Sequence, residues 1–285
     1  MLPVFAKLNI TLRVTGQRPD GYHDLVSAFL RIPSGETLFV TPLPPGSGNV
    51  VEVQGMDLRL EEDGAKKENL VAKALRLARE AGADVPPLRV EIAKALYPGA
   101  GLGAGSGNAA ALLQWLASEH PDISWLDVAH QTGADVPFLL SALPAALVSG
   151  IGDQMEPLDD APYVRGMVVF PEWEAHTANA YAALDAHYGG WYPLDEEEAR
   201  EEWRDIWRAL VFGEGVGLLP NDFLPPLMKV RPEYAELFDL FEDLGCLAWG
   251  LTGSGSAAFA LLRLRTEPIR WPTWVRQVLY IPPMP

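Results

Sequence analysis

"YPGAGLGAGSGNAAALLQWLA", Tyr97 to Ala117, places five glycines at every second position and then runs into an alanine- and leucine-rich stretch. Ala109, Ala110, Leu112, Leu113, Leu116 and Ala117 recur at helical spacing, which predicts a helix from about Ser106 to Glu119 with one face in a core. A glycine-rich loop at a helix N-terminus has a physical logic. Glycine permits positive φ and close backbone approach. The first helical N–H groups lack intrahelical partners, and the helix dipole puts partial positive charge there. Together these features hold phosphate. The stretch has no G-x-x-x-x-G-K-[ST] pattern and no clean G-x-G-x-x-G, so it is neither a P-loop nor a dinucleotide fingerprint. By itself it also fits a simple chain reversal.

Working outward, "LRVEIAKAL" (88–96) reads as the strand feeding the loop, and "ENLVAKALRLAREAG" (68–82) as a helix with a glycine stop. "FAKLNITLRV" (5–14), "ETLFVTPL" (36–43) and "VVEVQG" (50–55) read as strands, and "GQRPDGYHDL" (16–25) as a loop. "SWLDVAHQTG" (124–133) predicts a short helix, "GADVPFLLS" (133–141) a turn and helix start, and "AALVSGIGDQMEPL" (145–158) a hairpin. A new strand, "VRGMVVFPE", begins at Val164. Helices follow near Thr177–His187, Glu196–Leu210 and Pro232–Leu244, then a strand, turn and strand over "CLAWGLTGSGSAAFALL" (246–262). The change of register near Asp159 predicts two domains, 1–157 and 158–285. The acidic run "LDEEEAREEWRD" (194–205) reads as a solvated helix face. For the tryptophan-rich stretch around it, a well-packed helix, a lid and a partner surface all remain open.

The chain has 285 residues and a net charge of −16. No Lys/Arg cluster suggests a nucleic-acid surface. An anionic ligand must therefore be held locally, by backbone N–H groups and a few cations. No apolar run is long enough to span a membrane, the start shows no signal-peptide pattern, and Cys246 is the single cysteine. A cytoplasmic location is expected.

Three further segments carry chemistry. Lys7 and Asn9 alternate on one strand and so share a face. A lysine in an apolar strand ordinarily snorkels to the rim. Asp135 precedes Val-Pro, the ordinary place for a helix-capping aspartate. If the two met, the lysine charge would favour an ionised carboxylate, able to accept a proton from a substrate hydroxyl. Gly253, Ser254, Gly255 and Ser256 lie between two apolar runs and form either a β-turn or a second backbone cradle.

Taken together, these segments resemble the GHMP kinases. "PGAGLGAGSGNAA" (98–110) is similar to their motif P-x-x-x-G-L-G-x-[GS]-S-[SA]. "AKLNITLRVTGQRPDGYHDL" (6–25), "GADVPFLL" (133–140), "GIGDQMEPL" (150–158), "NDF" (221–223) and "LTGSGSAAFAL" (251–261) follow in that family's order and span nearly the whole chain. "DGYH" and "GADVPF" resemble the branch whose substrate is a cytidyl-methylerythritol.

The resemblance implies a two-domain α+β fold with ATP and substrate in an inter-domain cleft. It implies transfer of the ATP γ-phosphoryl to the 2-hydroxyl of 4-diphosphocytidyl-2-C-methyl-D-erythritol, on the non-mevalonate route to isoprenoid precursors. It makes Asp135 the base, Lys7 its orienting cation, and residues Gly99, Ala100, Gly101, Leu102, Gly103, Ala104, Gly105, Ser106 and Gly107 the phosphate loop. Asn69, Leu70 and Lys94 fall on the nucleotide side. Asn9 falls at the methylerythritol end, Tyr22 and His23 at the cytosine, Tyr181 at a second aromatic completing a sandwich, and Gly253 and Ser254 at the second cradle. Mg²⁺ is expected with ATP; its protein ligand is unknown, with Ser106 a candidate. No nucleic-acid or membrane partner is expected.

The chain departs from the family's usual G-L-G-G-G-S-S at Ala104 and Gly107, has its motif proline at Pro98, one place late, and carries Phe5 where a proline is usual. Ala104 matters if its position needs positive φ. Two other readings follow from these features: a GHMP kinase for another small alcohol, which would not need the Tyr-His pair, and an inactive binding module, which the altered loop would suit.

Overall fold

The computed structural model describes residues 1–55, 68–262 and 269–283. In chain order the elements are β1 (Leu2–Gln17), β2 (His23–Pro42), β3 (Val50–Gln54), α1 (Leu70–Glu80), β4 (Leu88–Ala93), α2 (Ala104–Glu119), α3 (Trp125–Thr132), α4 (Val136–Ser141), β5 (Ala145–Gly150) and β6 (Gln154–Pro157). Then come β7 (Arg165–Pro171), α5 (Thr177–Tyr188), α6 (Glu196–Val211), β8 (Gly217–Leu218), α7 (Leu224–Val230), α8 (Glu233–Asp243), β9 (Ala248–Leu251), β10 (Ala258–Leu262) and β11 (Val275–Ile281). Among the described residues no helix is long and apolar enough to cross a membrane.

The chain forms two compact units that are not the consecutive halves 1–157 and 158–285. One comprises Met1–Lys7, Pro33–Pro98 and Gly103–Ala142; the other comprises Leu8–Ile32, Gly99–Leu102 and Leu143–Pro285. The long strands β1 and β2 each contribute residues to both, so a boundary sought at one point of the sequence misses them.

In the first unit, the second half of β2 pairs antiparallel with β4, from Thr37↔Ala93 to Pro42↔Leu88, and β4 pairs parallel with β3. β2 begins well before the strand expected from Glu36 and continues through Pro33 and Gly35. Ser34 supplies the bridging there, donating to the Val4 carbonyl (2.6 Å) and accepting from Glu36 N–H (3.0 Å). Helices α1 to α4 pack against one another. α1 buries Val71, Ala74, Leu75, Leu77 and Ala78, is capped by the Asn69 side chain, and stops before Gly82 at φ 101°.

In the second unit, the first half of β2 pairs with β5 from Leu25↔Gly150 to Leu30↔Ala145, and β5 turns into β6. A five-stranded sheet runs in the order β11-β7-β10-β9-β8. Its core joins Met167, Val169, Ala258 and Ala260 to Tyr234, Leu237 and Phe241 of α8 and to Phe223 and Leu224. Each fully buried large apolar side chain of this kind contributes about 1.5–3 kcal/mol. α7, which the sequence reading lacks, carries Pro225 and Pro226 in its first turn, where a missing N–H costs nothing.

α6 is a packed helix rather than a wholly solvated one. Ala199, Trp207 and Leu210 are buried, and the Trp207 indole donates to the Asp160 carbonyl at 2.8 Å. Glu202 takes the Arg13 guanidinium in a two-pronged pair at 2.6 and 2.7 Å. The remaining guanidinium nitrogen of Arg13 binds Asp222 at 2.6 Å, and that carboxylate also accepts from Val14 N–H.

Candidate active site

In the first unit, the site begins where α2 does. Gly103 stands at the N-cap with φ 64° and ψ 27°, a left-handed conformation that only glycine adopts freely. It has no side chain to cap with, and the first turn of α2 holds no acid. The N–H groups of Ala104, Gly105 and Ser106 therefore face outward with helix-dipole charge behind them. Ser106 is 8% exposed, and its hydroxyl has no hydrogen-bond partner among the described residues.

Both departures of the loop have local reasons. Ala104 is the first helical residue and does not have positive φ, so its methyl is unstrained. Gly107 passes so close to β1 that a Cβ there would lie 2.0 Å from the Phe5 carbonyl oxygen. A serine does not fit this backbone.

Lys7 and Asp135 meet at Gly103. A Cβ on that glycine would sit 2.9 Å from Asp135 Oδ2 and 3.4 Å from Lys7 Cγ. Asp135 occupies the N-cap position of α4 but makes no side-chain cap bond. Lys7 does not snorkel: it is 6% exposed. Burial pushes its ammonium below the ordinary lysine range, while the charge of Asp135 pulls it back up.

The three nucleotide-side residues differ in what they do. Asn69 Oδ1 accepts from Val71 N–H at 2.9 Å, so its side chain is engaged as a helix cap. The Leu70 methyl Cδ1 lies beneath Gly105, 3.6 Å from where its Cβ would be. Lys94 is ion-paired with Glu36 and is not a free cation for phosphate. Glu36, missed in the sequence, is fully buried. It also accepts from Leu96 N–H (3.1 Å) and from Asn108 Nδ2 of α2 (2.8 Å). Its only signal was a single acid inside the apolar run "GETLFV".

In the second unit, the early loop glycines serve backbone packing. A Cβ on Gly101 would lie 2.1 Å from the Thr252 carbonyl oxygen, and one on Gly253 would lie 3.0 Å from the Gly101 carbonyl oxygen. The carbonyls of Gly99 and Ala100 accept from Ser256 and Ala257 N–H at 3.3 Å, and that of Gly101 from the Thr252 hydroxyl at 3.2 Å. Gly99 to Leu102 is thus zipped onto the turn containing Gly253 and Ser254. The N–H groups that lack a helical partner belong to the later part, from Ala104 on. Asn221 of "NDF" braces the same turn, donating to the carbonyls of Leu251 and Gly253 at 2.9 Å each. Asn9 is 3% exposed: its Nδ2 donates to Ser27 Oγ at 2.8 Å and its N–H to Thr252 Oγ1 at 3.1 Å.

His23 and Tyr181 come together. Tyr181 stacks on the His23 imidazole itself, with centroids 4.6 Å apart and 27° between planes. The register of α5 explains this: Tyr181 and Asp185, four residues apart, share one helix face, and Asp185 Oδ1 lies 2.7 Å from His23 Nε2. Tyr22 stands apart from this cluster of rings and is 62% exposed. A cavity of 490 Å³ lined by Trp173, Asn179, Ala183, Leu227 and Arg231 reaches Ser254 but none of the other predicted residues. Among the described residues no group of three or more His, Cys, Asp or Glu is arranged to hold a metal ion.

Comparison with known proteins identifies the family. Residues 69–142 match the GHMP kinases N terminal domain, and residues 196–269 match GHMP kinases C terminal. The chain belongs to the GHMP kinase family and has its two-domain α+β fold. Within the family, it is 34% identical over 275 residues to 4-diphosphocytidyl-2-C-methyl-D-erythritol kinase of Solidesulfovibrio magneticus, covering 93% of this chain and 89% of that one. The enzyme of the same name from Porphyromonas gingivalis is 32% identical over 272 residues, covering 92% of each. A crystal structure of 4-(cytidine 5'-diphospho)-2C-methyl-D-erythritol kinase superposes with a TM-score of 0.74 at 30% identity, covering 92% of this chain and 89% of that one. A homoserine kinase from Cytophaga hutchinsonii shares the fold at 16% identity and a TM-score of 0.55.

Proposed function

We propose that this chain is a kinase that moves the γ-phosphoryl group of ATP to the 2-hydroxyl of 4-diphosphocytidyl-2-C-methyl-D-erythritol. The observation that carries the reading is the meeting of Lys7 and Asp135 on Gly103, at the N-terminus of α2. Relatives matched over 89% and 92% of their own length bear this activity as their name.

Phosphoryl transfer depends mainly on positioning and charge neutralisation. The N–H groups that open α2 hold the phosphate oxygens. Asp135 accepts the proton of the 2-hydroxyl as that oxygen bonds to the γ-phosphorus and the bridge to the β-phosphate breaks, releasing ADP. Lys7 fixes Asp135 and offsets the charge on the moving group. Ser106, whose hydroxyl has no hydrogen-bond partner among the described residues, would offer an oxygen to a Mg²⁺ that keeps most of its water; the ion would neutralise phosphate charge. Leu70 and the backbone of Asn69 border the nucleotide. Lys94 acts through Glu36, holding the chain into the loop and α2 in register. Tyr22 offers its exposed ring to the cytosine and His23 its imidazole. Asn9 and the Gly253–Ser254 turn support the methylerythritol side. The single, buried Cys246 supports a cytoplasmic location.

The test is ADP release from Mg²⁺-ATP with the cytidyl substrate. Turnover that disappears in Asp135→Asn supports the assignment. Activity on homoserine or mevalonate, with none on the cytidyl alcohol, rejects it.

A further inference from the structure

His23 is held from several directions within the second unit. Tyr181 covers one face of the ring at 4.6 Å. Asp185 Oδ1 takes the Nε2 edge at 2.7 Å. Tyr192 donates its hydroxyl to the same Oδ1 at 2.8 Å and stands edge-on to the imidazole at 6.0 Å. Tyr192 comes from "WYPLDEEE", the stretch whose role was open in the sequence. Burial and Asp185 push its phenol above the ordinary range, so it stays a donor. The His23 side chain is 6% exposed, and Nδ1 has no hydrogen-bond partner among the described residues.

An ionised carboxylate only accepts hydrogen bonds, so the ring nitrogen facing it carries the proton. In a neutral imidazole the other nitrogen then offers a lone pair. We propose that Asp185 is a positioning residue that fixes His23 in its Nε2–H tautomer, so that Nδ1 accepts from the exocyclic amino group of cytosine and repels the carbonyl that uracil carries there. This rests on the cytidyl reading above. It makes Tyr181 a support for the base-reading histidine, and it gives the WY segment a purpose: securing the carboxylate that sets the tautomer. A mismatched polar edge in a buried site costs roughly 10- to 100-fold in selectivity.

The experiment compares wild type, Asp185→Asn and Tyr192→Phe by ¹⁵N NMR of the His23 ring and by kcat/KM on the cytidyl substrate and its uridyl analogue. An asparagine amide can donate to Nε2 and move the proton to Nδ1. The expected result is an Nε2–H tautomer in wild type and an Nδ1–H tautomer in Asp185→Asn. The variant's preference for cytidyl over uridyl substrate should fall at least about tenfold, mainly through KM. Tyr192→Phe should lower the melting temperature and keep the tautomer. An Nδ1–H tautomer in wild type overturns the proposal even if Asp185→Asn does not fold. So does a folded Asp185→Asn with unchanged selectivity, since a merely structural aspartate would move stability alone. Wild type without turnover on the cytidyl substrate would instead reject the proposed reaction, with the tautomer still read independently.

Discussion

Two glycines of α2, two residues apart, should respond to the same substitution with opposite signs. Gly107→Ala puts a methyl 2.0 Å from the Phe5 carbonyl oxygen and 3.1 Å from Val4 Cγ1. Relieving the first contact needs α2 and β1 to part by about 1.4 Å, the shortfall from an ordinary 3.4 Å contact. The obstacle is backbone, which cannot swing aside as a side chain does. Overpacking of this kind costs about 3 kcal/mol, the upper end of its usual range. Replacing a helical glycine by alanine returns about 1 kcal/mol. The net expectation is a loss of about 2 kcal/mol, or about 4–8 °C in melting temperature for a chain of this size. Gly105 is exposed, is helical, and would meet only the Leu70 methyl at 3.6 Å. Gly105→Ala should therefore gain up to about 1 kcal/mol, or about 2–4 °C. Thermal melts of the two variants beside wild type decide the matter. A Gly107→Ala protein as stable as Gly105→Ala would refute the reasoning and with it the steric account of the missing serine.

Asp135→Asn should lower kcat on the order of 10²- to 10⁴-fold with KM little changed, as read by steady-state ADP release. Lys7, pushed by burial below its usual 10.5, is charged below its folded pKa and neutral above it, so activity should fall as pH rises through that lowered value. Stability should move the other way. Between the folded and unfolded values the unfolded chain binds the extra proton, so stability rises with pH across that window, which a series of denaturant titrations at increasing pH would detect. Lys94→Met should cost about 3–5 kcal/mol in urea unfolding by stranding the buried Glu36 carboxylate, and adding Glu36→Gln should recover part of that loss. The Cys246 thiol is pushed up to about 11 by burial, so at pH 8 it should react with a disulfide reagent only as fast as the chain opens.

The strands and helices with clean periodicity were legible in the sequence: β1, β3, β4, α1, α5 and the β5–β6 hairpin all lie close to where their patterns put them. α2 starts two residues before the expected Ser106, because Ala104 and Gly105 continue the helical backbone. α7 was hidden by its two prolines, and the length of β2 by a Pro-Ser-Gly stretch that side-chain bonding carries through. At the candidate site, residue types and motif order pointed to Lys7 and Asp135, whose proximity only the structure displays. Glu36, Asp185 and Asn221 act through partners 72, 162 and 32 residues away in the chain, and no local pattern encodes such distances. The same limit explains the glycines. Gly101 and Gly103 look alike in sequence, yet one makes room for another backbone and the other opens a helix.

The interlock of Gly101 with Thr252 has a consequence for biosynthesis. The two residues are separated by 151 positions, and the compact unit that contains them begins at Leu8 and is completed by the final part of the chain. As the polypeptide leaves the ribosome, the first half of the glycine loop is made early and waits for its support until strands β9 and β10 have been translated. Closing so long a span carries a large entropic toll and slows folding. A nascent chain that stalls before residue 250 would hold a helix α2 but an unbraced loop, and nucleotide could not help it fold until Thr252 and its turn had been made.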